Sequence, residues 1–487
     1  MYINYLQDLA NEAAKQEKPI LDFPLPTKEE LGEGGRSCDT TGLKFMEIKE
    51  SEGKGKGFYA RTDIAAGTFV LVSKPLGIIM GWEEDDFDDD DDDDFEEDKE
   101  QEKQLSKEED DDEDDLMKSN RRNGVLSIKL AKAIKKDPSL WFNQISLLFP
   151  REKDSLPTWF CEHAETGMEF ERSINDLKEI NEFCEKKTLI EEIRQRLPFI
   201  VRYNCLSVET APELFVYPNQ EKGGQVSLSA TALYNEPSYF NHSHKPNVSR
   251  WSIGDIMFFV TNQDVKAGRE LCISYIESEL LCESARIRSN LLEMDFEDVD
   301  DNDGSGEGEN DETDGPVISL DVQDELLDMY PLDRLDEINR LIRQSRGDSN
   351  EEDIDMDVDE EEEDIFWFQC DTYRLEILLA LTYESLGQSS KALKEWKKCI
   401  EFAEKKLPPA DEGSIPLYVQ AALCAASIGQ ESAAKHYADI ALKNHDLIFG
   451  GGVNFFRKRY SEEMELELRS SSKALLGQAA LDALWPV

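Results

Sequence analysis

Three short stretches, far apart along the chain, carry residue types that could do chemistry together. The first is Gly53-Lys54-Gly55-Lys56-Gly57-Phe58-Tyr59-Ala60, followed by Asp63-Ile64-Ala65-Ala66-Gly67. Closely spaced glycines let a backbone approach a ligand or turn sharply. This stretch is therefore either a ligand cradle or a hairpin turn, and it lacks the strand-then-helix setting of a dinucleotide loop. The second is Tyr239-Phe240-Asn241-His242-Ser243-His244-Lys245-Pro246-Asn247. Two histidines flanking a serine suggest metal or nucleophilic chemistry, but further zinc ligands and a G-x-S-x-G turn are missing. A polar loop with side-chain-to-backbone bonds is the other reading. The third is Asp264-Val265-Lys266-Ala267-Gly268-Arg269-Glu270-Leu271-Cys272-Ile273-Ser274-Tyr275. Here a glycine turn leads into a strand that ends on a tyrosine, whose hydroxyl is either functional or a satisfied core donor.

Strand-like runs surround all three. Leu43–Ile48 alternates, Phe58–Ala60 follows the glycine-rich turn, and Phe69–Met80 is apolar and β-branched with a break at Pro75. Similar runs recur at Glu213–Tyr217, Ile256–Asn262 and Leu271–Ile276. Residues 2–17, 125–149, 174–197 and 317–345 read as helical. In 174–197 the positions Ile174, Leu177, Ile180, Phe183, Ile190, Ile193 and Leu197 make one apolar stripe. Near the C-terminus, Ala380, Leu386-Gly387-Gln388, Ala392 and Ile400 recur as Ala422, Ile428-Gly429-Gln430, Ala434 and Leu442. Each unit reads as two helices with a turn at the glycine, a pattern that resembles the tetratricopeptide repeat; generic helical hairpins are the alternative.

The expected fold class is α+β: a β-rich core with a helical insertion, an all-α tetratricopeptide-like C-terminal domain, and long acidic disordered segments. Its expected divisions are an N-terminal helix and linker (1–43), the first part of the core (44–82), an acidic insertion (83–115) and a helical insertion (116–200). The second part of the core (201–292), an acidic linker (293–315), a helix (316–346), a second acidic linker (347–364) and the helical domain (365–487) complete the chain.

The 487 residues allow two or three domains. Asp and Glu number 106 against 54 Lys and Arg, for a formal net charge of -52. Glu83 to Asp115 holds 24 acidic residues against 3 lysines, while Glu293–Asp314 and Asp348–Asp364 hold 12 each and no Lys or Arg. Such blocks repel themselves and bury little apolar surface, so disorder is expected there. They serve either as solubility tails or to attract a basic partner. Direct nucleic-acid binding is disfavoured, because no comparable basic stripe is present. The nine scattered cysteines form no CxxC pair and no Cys/His cluster, which argues for a reducing compartment and against disulfides or a bound metal. The N-terminus shows no signal pattern, and no apolar window reaches membrane-spanning length. A monomer in the cytoplasm, the nucleus or both is expected, with no membrane contact.

Taken together and in this order, Gly55-x-Gly57, Asn241-His242-Ser243-x-x-Pro246-Asn247 and Gly268-x-Glu270-Leu271-x-x-x-Tyr275 resemble the SET methyltransferase family. Arg286, Leu291 and Phe296, with the helical C-terminus, look like its SMYD branch. That branch's MYND zinc ligands and its cysteine cluster after the SET core are both missing here. The resemblance implies a protein-lysine N-methyltransferase using S-adenosyl-L-methionine, with a basic protein such as a histone, a ribosomal protein or a translation factor as substrate. It implies cofactor binding by Lys54, Gly55, Lys56, Gly57, Ser238, Asn241, His242, Tyr275 and Phe296, with Tyr275 catalytic. Tyr234, Tyr239 and Phe240 are candidate walls of a substrate channel, with core packing as their other reading. A non-catalytic acidic binding module or chaperone for basic proteins is the alternative for the whole chain.

The implied reaction suits these residue types. The lysine nucleophile must be neutral, and deprotonating an amine of pKa about 10.4 at pH 7 costs roughly 4.6 kcal/mol. A narrow apolar channel lowers that cost by desolvating the ammonium. A phenol can orient the amine without stabilising its protonated form, as a carboxylate would.

Overall fold

The computed structural model describes residues 44–80, 111–150, 164–184, 186–209, 229–253, 255–283, 287–288, 292, 320–345, 370–460 and 482–486. The expected helix at 2–17 and strand at Glu213–Tyr217 lie outside these residues, as do Phe296 and most of the three acidic runs.

Among the described residues, ten strands make three small sheets. β1 (Met46–Ser51), β2 (Gly55–Ala60), β10 (Glu270–Ile273) and β7 (Asn241–His242) form one, in the order β1-β2-β10-β7. The second has the order β3-β9-β8, from β3 (Phe69–Ser73), β9 (Ile256–Thr261) and β8 (Val248–Ile253). The third has the order β4-β6-β5, from β4 (Gly77–Met80), β6 (Ser229–Leu233) and β5 (Cys205–Glu209). β3 and β9 are buried at every position, which suits their continuous apolar runs. Successive residues of β9 face opposite ways. Ile256, Phe258 and Val260 join one core cluster, while Met257 and Phe259 join another.

The helical insertion packs on β4 and β6. Its longer helices are α1 (Asp111–Lys136), α2 (Ala164–Asp176) and α3 (Lys187–Asn204). Leu126, Leu130, Phe170, Ile174, Ile193 and Leu197 share a core with Ile79 and Leu233. The single helix expected over 174–197 is interrupted after Asp176 by a 3-10 turn (Leu177–Glu179) and a short helix (Asn181–Cys184). The stripe survives the break, with Ile174, Leu177, Phe183, Ile190, Ile193 and Leu197 buried and Ile180 partly so. α1 begins at Asp111, within the acidic stretch 83–115.

The C-terminal part adds α4 (Leu320–Asp328), α5 (Pro331–Ser345), α6 (Cys370–Ser385), α7 (Ser389–Lys406), α8 (Ile415–Ser427), α9 (Glu431–Ile448) and α10 (Gly452–Arg459). The one helix expected over 316–346 is thus two, with Pro331 opening the second, where a missing N–H costs nothing. The repeat is two helical hairpins, α6–α7 and α8–α9. Gly387 (φ +70°) and Gly429 (φ +75°) occupy equivalent turns that need a left-handed residue. These helices do not stand apart, because Leu378, Phe402, Phe449 and Phe456 share one core with Phe69, Trp251 and Phe258 of the β3-β9-β8 sheet.

Candidate active site

The β1-β2-β10-β7 sheet brings the three stretches side by side. β2 lies antiparallel to β10, pairing Tyr59 with Glu270 and Phe58 with Leu271. On the other edge of β10, β7 runs parallel, with Asn241 opposite Cys272 and His242 opposite Ile273. Asn247 fastens this register. Its Nδ2 donates to the Glu270 carbonyl at 2.8 Å, and its Oδ1 accepts from the Cys272 amide at 2.9 Å.

Close approach is what requires Gly57. A Cβ there would overlap Glu270 Oε1 and stand 2.7 Å from Asn241 Nδ2. The Glu270 carboxylate fills that space, accepting from Asn241 Nδ2 at 2.7 Å and from Ser51 Oγ at 3.1 Å. Lys54, on the turn of the β1–β2 hairpin, donates from Nζ to the His242 carbonyl at 3.2 Å. The Lys56 carbonyl lies 3.5 Å from Asn241 Nδ2. The stretch is thus both of the things its glycines allowed, a hairpin turn and a close backbone approach.

Tyr275 follows β10 and is held at both ends. Its hydroxyl donates to the Phe240 carbonyl at 2.8 Å, and its amide donates to His242 Nδ1 at 3.0 Å. Burial, then the nearby Cys272 and Glu270, raises the phenol above its ordinary range, so it stays protonated at neutral pH. Burial pushes His242 down to about 3, aided by the neighbouring His244 and by the positive charges of Lys54 and Arg288, so this ring is neutral. The Cys272 thiol is pushed up to about 12, first by burial and then by Glu270, which leaves no thiolate nucleophile beside the site at neutral pH.

Lys54, Gly55, Lys56, Gly57, Asn241, His242 and Tyr275 therefore lie together. Ser238, in the 3-10 turn Glu236–Tyr239, donates Oγ to the Tyr234 carbonyl at 2.6 Å within its own turn. Tyr239 is partly exposed and meets Phe58 edge-on at 5.8 Å. The other two channel candidates, Tyr234 and Phe240, lie in the core. Tyr234 is fully buried with its hydroxyl donating to the Asp255 carbonyl at 3.0 Å. Phe240 is fully buried and stacks on Phe259 at 4.8 Å, its ring also meets Phe58 at 4.9 Å, and its carbonyl accepts from Tyr275. Sequence reasoning passed over Glu270 and Ser51 as site residues. The signal for Glu270 was a long polar side chain beside a glycine on the neighbouring strand; Ser51 carried none. Among the described residues, no group of three or more His, Cys, Asp or Glu is placed to hold a metal ion, and no helix is long and apolar enough to cross a membrane.

Comparison with known proteins agrees with this geometry. The SET domain family matches residues 55–276, from the second glycine of the hairpin to the residue after Tyr275. A curated relative, the potential protein lysine methyltransferase SET6 of Saccharomyces cerevisiae, is 42% identical over 43 residues. That stretch covers 9% of this chain and only 12% of the relative. Among solved structures, the SET domain of LSMT bound to lysine and AdoHcy aligns at a TM-score of 0.26 and 12% identity, over 95% of this chain and 92% of that one. Rubisco LSMT bound to sinefungin and monomethyllysine aligns at 0.25 and 13%, over 83% and 88%. On the family match and the strand pairings that join its motifs, residues 55–276 form a SET domain.

Proposed function

We propose that this chain is a protein-lysine N-methyltransferase that uses S-adenosylmethionine and acts on a basic protein. The observation that carries the proposal is the parallel β7–β10 pairing inside the SET domain, which joins Asn241, His242 and Tyr275 beside the Gly57 backbone. The short stretch shared with a potential protein lysine methyltransferase points the same way.

The residues present fit the cofactor. Gly57 leaves room for the Glu270 carboxylate beside Asn241, where a Cβ would clash with both. Lys54 offers an ammonium for the carboxylate of the cofactor's amino-acid end, and Glu270 and Asn241 offer acceptors for its ammonium. Lys56 and the Gly55 backbone line the same hairpin, and Phe58 with Tyr239 supplies an apolar edge. When bound, S-adenosylmethionine supplies the electrophilic methyl group. Tyr275, kept as a neutral phenol with its proton on the Phe240 carbonyl, presents oxygen lone pairs that orient an incoming amine. No negative charge sits on that oxygen to favour the protonated lysine.

The net charge of -52 supports a basic acceptor, with histones, ribosomal proteins and translation factors as candidates. Cys205, Cys272 and Cys399 are free thiols, which fits cytoplasm or nucleus.

The test incubates the purified full chain with methyl-labelled S-adenosylmethionine and a mixture of histones and ribosomal proteins, beside Tyr275→Phe. Labelled lysine is expected from the wild type. Tyr275→Phe is expected to lose transfer on the order of a hundredfold while binding cofactor normally by calorimetry. A wild-type chain that binds no cofactor overturns the proposal and leaves a non-catalytic module for basic clients.

A further inference from the structure

A pair of histidines stands behind Tyr275. The Tyr275 amide can only donate, so His242 Nδ1, 3.0 Å away, carries a lone pair and Nε2 carries the ring proton. That proton faces His244 Nδ1 at 3.2 Å, and the two rings meet edge to face with centroids 4.7 Å apart and planes at 82°. His244 must therefore present Nδ1 as the acceptor. The contact also lies where the sheet runs out. β10 ends at Ile273, whose carbonyl accepts the Ser243 amide at 3.0 Å. The Tyr275 amide, two residues on, is taken by the imidazole.

We infer that His244 is a positioning residue for Tyr275, acting through the His242 ring. It sets the His242 tautomer; the tautomer seats the Tyr275 amide; and the seated main chain directs the phenol to the Phe240 carbonyl. With His242 protonated on Nδ1 instead, two donors would face each other across 3.0 Å. The charged groups around the pair are Lys54, from the β1–β2 hairpin, and Arg288, both of which disfavour a cationic His242. The catalytic consequence rests on the methyltransferase proposal above, whereas the geometry does not.

Two variants separate the possibilities. In His244→Asn, Oδ1 is bonded to Cγ as Nδ1 is in histidine, so the acceptor is kept without a titratable ring. In His244→Leu the acceptor is lost at similar size. The full chain labelled with 15N-histidine is read first by NMR, without cofactor or acceptor protein. Five histidines keep the spectrum simple, and His242→Asn identifies the signal. Neutral, Nε2-protonated His242 is expected in the wild type and in His244→Asn. In His244→Leu the Tyr275 amide is expected to exchange hydrogen on the order of tenfold faster. Turnover on histones should then fall on the order of tenfold in kcat for His244→Leu, at unchanged KM for cofactor, and recover in His244→Asn. His242 protonated on Nδ1 in the wild type, or His244→Leu matching the wild type in exchange, overturns the inference whether or not the chain transfers methyl groups. Normal ring and exchange signals in a chain that binds no cofactor would sink only the methyltransferase proposal.

Discussion

Replacing Gly57 by alanine is the most direct probe of the cradle. The added Cβ meets two atoms, overlapping Glu270 Oε1 and approaching Asn241 Nδ2 to 2.7 Å. Asn241 is short and only 8% exposed, so the longer Glu270 side chain is the one that moves. Its departure breaks the 2.7 Å bond from Asn241 Nδ2 and the 3.1 Å bond from Ser51 Oγ. A hydrogen bond to a charged acceptor contributes about 1.5–3 kcal/mol, and each 1.4 kcal/mol is about tenfold in binding. If Asn241 holds the cofactor only in this pose, Gly57→Ala lowers S-adenosylmethionine affinity by about ten- to a hundredfold. The folding cost should be smaller, because a partly exposed Glu270 can turn to water. Calorimetric titration with S-adenosylmethionine, beside thermal unfolding without it, measures both. Adding Glu270→Ala to Gly57→Ala should change affinity little further, since the same bonds are already broken. Wild-type affinity in Gly57→Ala would refute the cradle, and full additivity of the two changes would refute the role given to Glu270.

Tyr234→Phe leaves the Asp255 carbonyl without its buried donor; urea unfolding should show a loss of about 1 kcal/mol, with cofactor affinity and methyl transfer unchanged. Asn247→Ala removes both bonds that fasten β10 and should cost about 1–3 kcal/mol in the same assay, with slower methyl transfer. His242 is held at about 3, against an ordinary 6.5, so between those values the unfolded chain binds the extra proton. Stability through this group therefore falls as pH drops through that window, and His242→Asn, which can still accept the Tyr275 amide through Oδ1, should flatten the slope in unfolding series from about pH 7 to 4. Phe449 is fully buried and edge-on to Trp251 at 5.5 Å, so Phe449→Ala should destabilise by about 3–5 kcal/mol, seen as a lower unfolding midpoint.

How much of this could be read from the sequence depended on how local each determinant is. The apolar stripe from Ile174 to Leu197 was legible because burial follows side-chain spacing, which persists where the helix itself breaks after Asp176. Gly387 and Gly429 were legible as turns because a left-handed helix end is a property of one residue. Gly57 was legible only as a glycine. What presses on it is Glu270, on a strand more than two hundred residues away, and pairing register between distant strands leaves no periodic trace. Tyr234 and Phe240 were left between two readings for a different reason. An aromatic ring lining a channel and one filling a core present the same side chain, and only the Asp255 carbonyl and the Phe259 ring decide between them.

The C-terminal helices bear on the site more directly than an appended arm would. Alternate residues of β9 face two cores, and the one containing Phe258 is completed by Leu378, Phe402 and Phe449. Arg374 of α6 pairs with the buried Glu283 at 2.8 Å. Gly413, between α7 and α8, sits where a Cβ would lie 3.1 Å from that of Ser278, three residues after Tyr275. The division between the two cores passes through the chain at the site itself: Tyr275 packs with the SET-sheet cluster, and Ile276, the next residue, packs with the helices. The main chain that His242 holds at Tyr275 therefore borders directly on the core that the C-terminal helices complete.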